Sequence, residues 1–300
     1  MDLVFIGFGE AAFHIAKGLR SETKSDLNLS AYDANASDPI LGAAIQQRAQ
    51  DTQVTLLSSF ETLCQSNANF FICLTSASSA LAIAQQVLPQ LRAGQVYVDM
   101  NSASPKVKQA IAKIECSSEV KFCDAAVMGT VPGNQHRVPM LLTGNGAQHF
   151  HDVMSQYGMK LTVLDAEVGS SSAVKMLKSV VMKGLPQLLI ESLQAAETFG
   201  ITDILMESLA ESLEGKSIEK LANTFTARTL IHAKRRSAEM ADSLKTLQEA
   251  GVNAQMTEAT KHKLDLLAAN DWRTLLGENG SELPYLDAIQ ILNKHTKGDM

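Results

Sequence analysis

Near its start the chain carries the spacing G-x-G-x-x-A, at Gly7, Gly9 and Ala12, directly after the apolar run 3–6. Helical spacing continues over residues 13–19, so the predicted order is strand, tight turn and helix. The first glycine of such a unit allows the turn, the second lets a pyrophosphate approach the backbone, and the small third residue permits close packing. N–H groups of the first helical turn then face the phosphates. The pattern predicts a dinucleotide site with contacts from Gly7, Phe8, Gly9, Glu10, Ala11 and Ala12.

An acidic residue follows the next predicted strand, since the alternating stretch 27–32 ends at Asp33. A carboxylate about 20 residues beyond the glycines accepts a hydrogen bond from a ribose 2′-hydroxyl and repels a 2′-phosphate. No arginine lies near Asp33 in the sequence to hold such a phosphate. NAD is therefore the expected cofactor, with NADP possible. The alternative is a tight strand–helix turn in an α/β domain that binds no nucleotide.

Small polar residues follow three further predicted strands, where ligands of a doubly wound sheet bind. After the strand 70–74 come Thr75 and Ser76, which would contact the cofactor together with Leu74, although Ser76 or Ser78 could instead simply cap a helix. Ser104 and Pro105 form a helix start that would leave Asn101 and Ser102 with free donors and acceptors, Ser102 serving both cofactor and substrate. The Gly/Pro-rich loop at 128–133 offers backbone N–H groups at Gly129 and Thr130.

Two lysines occur in the otherwise apolar helical segment 170–184. Lys175 and Lys178 share one helix face at i, i+3 spacing. An ammonium that is partly desolvated and close to a second ammonium has a lowered pKa, which suits a general acid/base. The spacing makes Lys175 a candidate catalytic residue, whereas the simpler interpretation is a pair of solvated lysines.

Composition excludes several classes of protein. A formal net charge of −6 over 300 residues argues against a nucleic-acid partner. No apolar run is long enough for a membrane span, and the start carries no basic leader, so a cytoplasmic protein is expected. The four cysteines lack C-x-x-C spacing and are expected to be reduced, buried thiols with no metal site among them.

The character of the sequence changes at about residues 165–169. Before that point strands alternate with helices, which predicts right-handed crossovers and a doubly wound, mainly parallel Rossmann sheet. The predicted strands are 2–7, 27–32, 54–57, 70–74, 95–99, 120–124, 138–143 and 160–164. Beyond it almost every segment reads as helix, beginning with a long helix at 170–199. We therefore predict a dinucleotide-binding domain at 1–165 and an all-helical domain at 166–300.

Taken together, these motifs resemble the β-hydroxyacid dehydrogenase and 6-phosphogluconate dehydrogenase superfamily. The G-x-G-x-x-A turn, the segment 99–105, the loop 124–133 and the lysine segment 169–175 follow the order found in that family. The segments 173–176, 232–240 and 256–260 look like its subgroup with a phosphogluconate-dehydrogenase-like C-terminal domain. This resemblance implies an NAD(P) domain, a helical domain that builds a homodimer, and Lys175 as the catalytic lysine.

The resemblance also implies a small anionic substrate. Its contacts would come from Asn101, Ser102, Gly129, Thr130, Lys178, His232 and Arg236, of which His232 and Arg236 could instead belong to a solvated basic helix face. Three positions depart from the better-studied hydroxyacid enzymes, because this chain has Met128-Gly129-Thr130 for Ser-Gly-Gly, Asn101-Ser102 for Ser-Thr, and Lys178 for the Asn three residues after the lysine. The expected reaction is hydride transfer between a nicotinamide and the CH–OH or C=O group of a hydroxy acid or sugar acid. Imine reduction and a non-catalytic dinucleotide-binding protein are the alternatives.

Overall fold

A computed structural model describes residues 1–22 and 26–296. Residues 297–300 of the predicted helical domain lie outside this range. Its strands are β1 (Asp2–Ile6), β2 (Asn28–Tyr32), β3 (Thr55–Leu56), β4 (Phe70–Cys73), β5 (Val96–Asp99), β6 (Lys121–Val127), β7 (Met140–Thr143) and β8 (Leu161–Val163). Every predicted strand is present, with shifts of a few residues at the ends.

The eight strands form one sheet in the order β3-β2-β1-β4-β5-β6-β7-β8. All neighbouring pairs are parallel except β6 and β7, which run antiparallel. The strand order reverses between β1 and β4, which is the point where doubly wound sheets bind their ligands. The predicted fold class, a mainly parallel Rossmann sheet followed by a helical region, is confirmed.

Both faces of this sheet are covered by helices. Along β1, Leu3 and Phe5 pack into one apolar cluster, whereas Val4 and Ile6 pack into a second cluster on the opposite face. Successive strand residues point to opposite faces, so a strand buried on both sides reads as a continuous apolar run. This burial explains the continuous apolar runs of β1 and β4, whereas β2, with the sequence NLSAY, alternates between buried and less buried residues.

Helices account for most of the remaining described residues. Those of the sheet region are α1 (Glu10–Ser21), α2 (Gly42–Asp51), α3 (Phe60–Cys64), α4 (Ala80–Val87), α5 (Pro105–Ala112), α6 (Val131–Asn134) and α7 (Ala147–Met154). They are followed by α8 (Ser170–Phe199), α9 (Thr202–Leu213), α10 (Ile218–Ile231), α11 (Ala233–Glu249), α12 (Gln255–Ala268), α13 (Trp272–Leu276) and α14 (Tyr285–Thr296). Short 3-10 helices lie at Leu88–Gln90, Gln135–Arg137, Ser155–Tyr157 and Gly280–Glu282.

Contacts between residues divide the chain into two compact units, Met1–Val180 and Val181–Met300. The first unit therefore includes the beginning of α8, because Ser171 and Ser172 are buried against the sheet. The second unit has its own apolar cluster around Trp272, Leu230 and Ala227. The domain boundary drawn at residues 165 and 166 stays a prediction about folding units.

Two further expectations concern the surface. None of the helices in the described part of the chain combines the length and the hydropathy that a membrane span requires. Cys64, Cys73 and Cys123 are buried free thiols as expected. Cys116 is exposed, so the prediction of burial is wrong for this residue. It follows α5 in a polar connection to β6, where no apolar layer covers it.

Candidate active site

The glycine-rich turn between β1 and α1 has the shape that a pyrophosphate requires. Gly7 adopts a φ of +87°, and a Cβ atom there would lie 2.5 Å from the carbonyl oxygen of Leu74. Only glycine fits this position without displacing the backbone. At Gly9 a Cβ would meet nothing within 4 Å, so open space lies above the start of α1. Gly9 caps this helix without a side-chain hydrogen bond from the described residues, which leaves its N-terminus available to an anion.

Asp33, directly after β2, is joined to this turn. Its Oδ2 accepts a hydrogen bond from the backbone N–H of Phe8 at 2.7 Å, and its Oδ1 accepts one from Asn35 N–H at 2.9 Å. Each carboxylate oxygen keeps a second lone pair for a ribose hydroxyl. The Phe8 ring and Ala12 are buried in the core, so Phe8 can reach a ligand only through its backbone, while Glu10 is exposed. The turn and the carboxylate together fit an adenine dinucleotide.

At the end of β4 the polar residues are partly occupied with one another. The N–H of Thr75 donates to Asn101 Oδ1 at 2.6 Å, which joins the ends of β4 and β5. Ser76 is exposed, and its Oγ accepts from the N–H of Ser79 at 3.2 Å, just before α4. This bond belongs to the turn before α4, whose N-cap residue is Ser79, so Ser76 does not cap the helix itself. Leu74 N–H bonds to the carbonyl of Ile6 at 2.9 Å and continues the sheet.

Asn101 and Ser102, after β5, have different environments. Asn101 is buried, and its Nδ2 donates to Asp99 Oδ1 at 2.6 Å and to Cys73 Sγ at 3.2 Å. The expectation that Asn101 offers free donors and acceptors is therefore wrong, because its amide already joins Asp99 to the Thr75 backbone. Ser102 is exposed and does present its hydroxyl.

Lys175, in the second turn of α8, points at that hydroxyl. Its Nζ donates a hydrogen bond to Ser102 Oγ at 2.6 Å. The side chain is half-buried, and burial lowers the pKa of this amine below its ordinary value. The nearby ammonium of Lys108 lowers the pKa further, and the carboxylate of Asp124 opposes both effects. The sequence suggested Lys178 as the second ammonium near Lys175. In the structure this ammonium is that of Lys108, whereas the side chain of Lys178 is exposed.

Lys108 belongs to a buried ion cluster that the sequence analysis did not single out. Its Nζ lies 3.1 Å from Asp99 Oδ2 and 3.1 Å from Asp124 Oδ1, and all three side chains are fully buried. The same Nζ donates to the carbonyl oxygen of Asp99 at 2.9 Å. Asp99 and Asp124 are register partners on β5 and β6, and Lys108 reaches both from α5. We call these three residues the buried ion cluster.

Hydroxyl groups join the buried ion cluster to the start of α8. Ser171 Oγ donates to Asp124 Oδ2 at 2.6 Å, and Ser172 Oγ donates to Asp124 Oδ1 at 2.9 Å. Thr143 Oγ1, on β7, lies 3.0 Å from Ser171 Oγ and is the third hydroxyl group of this network. Hydrogen bonds to a charged group are stronger than those between neutral groups. They attach the helix to the sheet one turn before Lys175.

The Gly/Pro-rich loop lies at the same sheet edge. Gly129 and Thr130 follow β6, are exposed, and lead into α6. Asn134 Nδ2 donates to the carbonyl oxygen of Thr130 at 2.9 Å, which ties the loop to α6. β4, β5 and β6 run parallel, so Thr75, Ser102 and Gly129 follow strand ends of the same polarity.

The second unit holds the other two predicted substrate residues. His232 lies between α10 and α11 rather than within one helix, and its carbonyl accepts from Arg236 N–H at 2.9 Å. Burial lowers the pKa of His232, and several arginines, Arg235 and Arg273 first among them, lower it further. Arg236 Nη1 donates to Thr229 Oγ1 at 2.7 Å, and Arg235 pairs with Glu239. The Arg235–Glu239 pair is of the kind expected of a solvated basic face.

Comparison with known proteins identifies the two regions of the chain. Residues 2–164 match the NAD binding domain of 6-phosphogluconate dehydrogenase. Residues 196–267 match a domain of unknown function, DUF1932. The first match covers the whole sheet with its glycine turn and Asp33, and the second falls within the helical region.

Solved structures show the same fold. A conserved hypothetical protein from Sinorhizobium meliloti 1021 is 30% identical, with 98% of this chain and 96% of that chain covered and a TM-score of 0.61. The protein MTH1747, described as structurally similar to 3-hydroxyacid dehydrogenases, is 28% identical over 90% of this chain and 97% of that one, with a TM-score of 0.60. A variant imine reductase from Myxococcus stipitatus V8 in complex with NAD+ is 14% identical, covers 97% and 98%, and has a TM-score of 0.70. At that identity the likeness concerns the fold alone.

The reversed strand order, the open glycine turn and the acid after β2 define a hydroxyacid-dehydrogenase-like, NAD(P)-binding Rossmann protein. The chain belongs to the family of the NAD-binding domain of 6-phosphogluconate dehydrogenase and carries a DUF1932 region C-terminal to that domain. NAD(P) is accordingly its cofactor.

Proposed function

We propose that this protein is a dehydrogenase that transfers hydride between NAD(P) and the CH–OH or C=O group of a small hydroxy acid or sugar acid, with Lys175 as general acid/base. The observation that carries the proposal is the 2.6 Å hydrogen bond from Lys175 Nζ to Ser102 Oγ in the first unit. It puts a half-buried amine of lowered pKa beside a strand end of the nucleotide-binding sheet. A lowered pKa makes such an amine a better proton acceptor and donor in catalysis than an ordinary lysine.

In the oxidation direction the neutral Lys175 amine takes the proton of the substrate hydroxyl. A nicotinamide dinucleotide held by the glycine turn and Asp33 would supply the acceptor for the hydride that leaves the carbon bearing this hydroxyl. Ser102 accepts a hydrogen bond from Lys175, and this bond orients the amine toward the strand end. In the reduction direction the Lys175 ammonium returns the proton to the carbonyl oxygen.

Substrate contacts are proposed for the exposed groups near Lys175 and for two residues of the second unit. Gly129 and Thr130 offer backbone N–H groups to a carboxylate, and the exposed ammonium of Lys178 adds positive charge one turn beyond Lys175. For His232 and Arg236, in the second unit, a role in binding an anion is proposed from the family resemblance alone. Because Asn101 is buried, it supports Thr75 instead of contacting the substrate.

The test follows reduced cofactor by absorbance, with NAD or NADP and a panel of 2- and 3-hydroxy acids, aldonates and their phosphates. Turnover with one class should fall by about 100-fold or more in Lys175→Met, with cofactor Kd unchanged. The matched variant Lys178→Met should raise KM and leave kcat nearly intact. Turnover of a cyclic imine but no hydroxy acid would replace the proposal with imine reduction. Cofactor binding without any turnover would favour a non-catalytic protein.

The assembly that we propose is a homodimer built through the helical region. On the part of α8 that belongs to the second unit, Val181, Met182, Leu185 and Ile190 expose large apolar side chains. Contiguous apolar surface of this kind marks interaction sites, and a second copy of the chain presents the same face. Light scattering should give a dimer mass for the native protein and a monomer mass for Leu185→Asp. The control Ile40→Asp, at an exposed residue of the first unit, should leave the dimer intact.

A further inference from the structure

The buried ion cluster of Asp99, Lys108 and Asp124 has no place in the proton transfer described above. Two carboxyl groups and one ammonium are fully buried together, each Asp oxygen 3.1 Å from Lys108 Nζ. Removing charged groups from water is costly even when they are paired. Apolar side chains would fill this space at lower cost, so the cluster calls for a role other than stability.

The cluster acts on Lys175 in two ways. Asp124 accepts hydrogen bonds from Ser171 and Ser172, so it fixes the first turn of α8, and Lys175 projects from the next. Ser172, three residues before Lys175 and on the same helix face, donates to Asp124 Oδ1 at 2.9 Å, and Lys108 Nζ lies 3.1 Å from that same oxygen. The Lys108 ammonium and the Asp124 carboxylate are therefore close to the Lys175 amine, and they shift its pKa downward and upward, respectively. On its own helix the nearest ammonium, that of Lys178, is exposed to water.

We propose that Lys108 is a positioning residue whose buried ammonium, held by Asp99 and Asp124, sets the charge state of the Lys175 amine at the site. The catalytic consequence rests on the function proposed above, but the electrostatic statement concerns Lys175 whether or not the substrate class is right. Lys108 does not touch the substrate. It acts through Lys175.

Lys108 and Asp124 carry opposite charges, so the proposal predicts opposite shifts of the Lys175 titration when each charge is removed. Removal of the Lys108 cation takes away a like charge, so Lys175 binds its proton more tightly and titrates at higher pH. Removal of the Asp124 carboxylate takes away an opposite charge, so Lys175 releases its proton at lower pH. A role confined to holding the fold together would not move the titration in opposite directions.

The experiment follows the ε-carbon of Lys175 by NMR in protein labelled with 13C-lysine, through a pH titration in the presence of saturating NAD. Lys175→Met identifies the resonance by its loss. Lys108→Met should move the titration midpoint upward by about one unit, and Asp124→Asn should move it downward. Lys106→Met is the matched control, since Lys106 is exposed on the same helix, and it should leave the midpoint unchanged.

An unchanged midpoint in Lys108→Met, or shifts of the same sign in Lys108→Met and Asp124→Asn, would overturn the proposal. Should Lys108→Met fail to fold, Asp124→Asn decides alone, because its amide keeps the shape of the carboxylate and an acceptor for one serine. A downward shift of the Lys175 midpoint in Asp124→Asn supports the proposal, and an unchanged midpoint refutes it. The same variants should displace the pH profile of kcat in parallel. Correct NMR shifts without turnover on any substrate would sink the proposed function and leave this inference standing.

Discussion

Replacement of Asp33 separates two effects that the structure combines in one carboxylate. In Asp33→Ala the N–H of Phe8 and that of Asn35 lose their acceptors, at 2.7 and 2.9 Å, so the glycine turn loosens for either cofactor. We propose that Asp33 also accepts a hydrogen bond from the ribose 2′-hydroxyl of NAD; on that assignment NAD loses this acceptor as well, whereas NADP is relieved of repulsion between two anions. The first effect is common to both dinucleotides. The second effect differs between them.

The size of the second effect follows from the type of bond. A hydrogen bond to a charged group contributes about 1.5–3 kcal/mol. At about 1.4 kcal/mol per factor of ten, the ratio of Kd for NADP to Kd for NAD should fall by roughly 10- to 100-fold in Asp33→Ala. The loosened turn raises the Kd values for NAD and NADP by the same factor, so its effect cancels in their ratio.

Titration calorimetry with each cofactor measures the ratio without knowledge of the substrate. In Asp33→Asn the amide oxygen can still accept from Phe8 N–H, so the ratio should fall while the common loss of affinity shrinks. Asp38→Ala is the control, because Asp38 also accepts backbone N–H groups, those of Ile40 and Leu41, in the same exposed segment. Equal ratios in native protein, Asp33→Ala and Asp33→Asn would refute the assignment of Asp33 to the ribose.

Three further outcomes are expected. Because burial and a neighbouring cation lower the pKa of Lys175, the rate of oxidation should rise with pH to a plateau, and the midpoint of the rise should lie below the ordinary lysine pKa of about 10.4. A midpoint at or above that value would contradict a perturbed amine. Gly7→Ala should lower the free energy of unfolding in urea by more than Gly94→Ala, because Gly94 has a similar φ of +83° but open space where a Cβ would lie. About 1–2 kcal/mol is expected for Gly94→Ala, and equal losses in the two variants would mean that the close approach at Gly7 is unimportant. Glu191, buried in α8, accepts hydrogen bonds from two backbone N–H groups at the start of α12, so Glu191→Ala should lower the free energy of unfolding by about 2–4 kcal/mol. The control Glu197→Ala, at an exposed residue of the same helix, should lower it little, and similar losses in the two variants would exclude a capping role.

The sheet and the glycine turn could be predicted from the sequence because their signals are local. A strand buried on both faces reads as an apolar run, and the turn residues are fixed by the φ of Gly7 and the open space at Gly9. Lys175 stands out for a similar reason, as a charge in an apolar helical segment, whereas its proposed catalytic role depends on the family resemblance.

The buried ion cluster could not be predicted in the same way, since it joins residues from two strands and a helix. A lysine on a short helix reads as solvated, and nothing in its neighbours distinguishes Lys108 from the exposed Lys106. One signal was present: Asp124 lies inside a strand whose other central residues are buried, and a buried carboxylate requires a partner. Local spacing suggested Lys178 as the cation near Lys175, whereas the three-dimensional fold supplies Lys108.

The distribution of the cysteines makes the molecule suitable for selective chemical labelling. Alkylating reagents attack thiolates, and burial raises the pKa of the thiols of Cys64, Cys73 and Cys123. Cys116 alone among the four is exposed. It lies in the connection from α5 to the beginning of β6, at the amino ends of the parallel strands, away from the ends that carry the glycine turn and Ser102. A fluorophore at Cys116 would therefore attach to native protein without mutation and leave the nucleotide edge of the sheet uncovered.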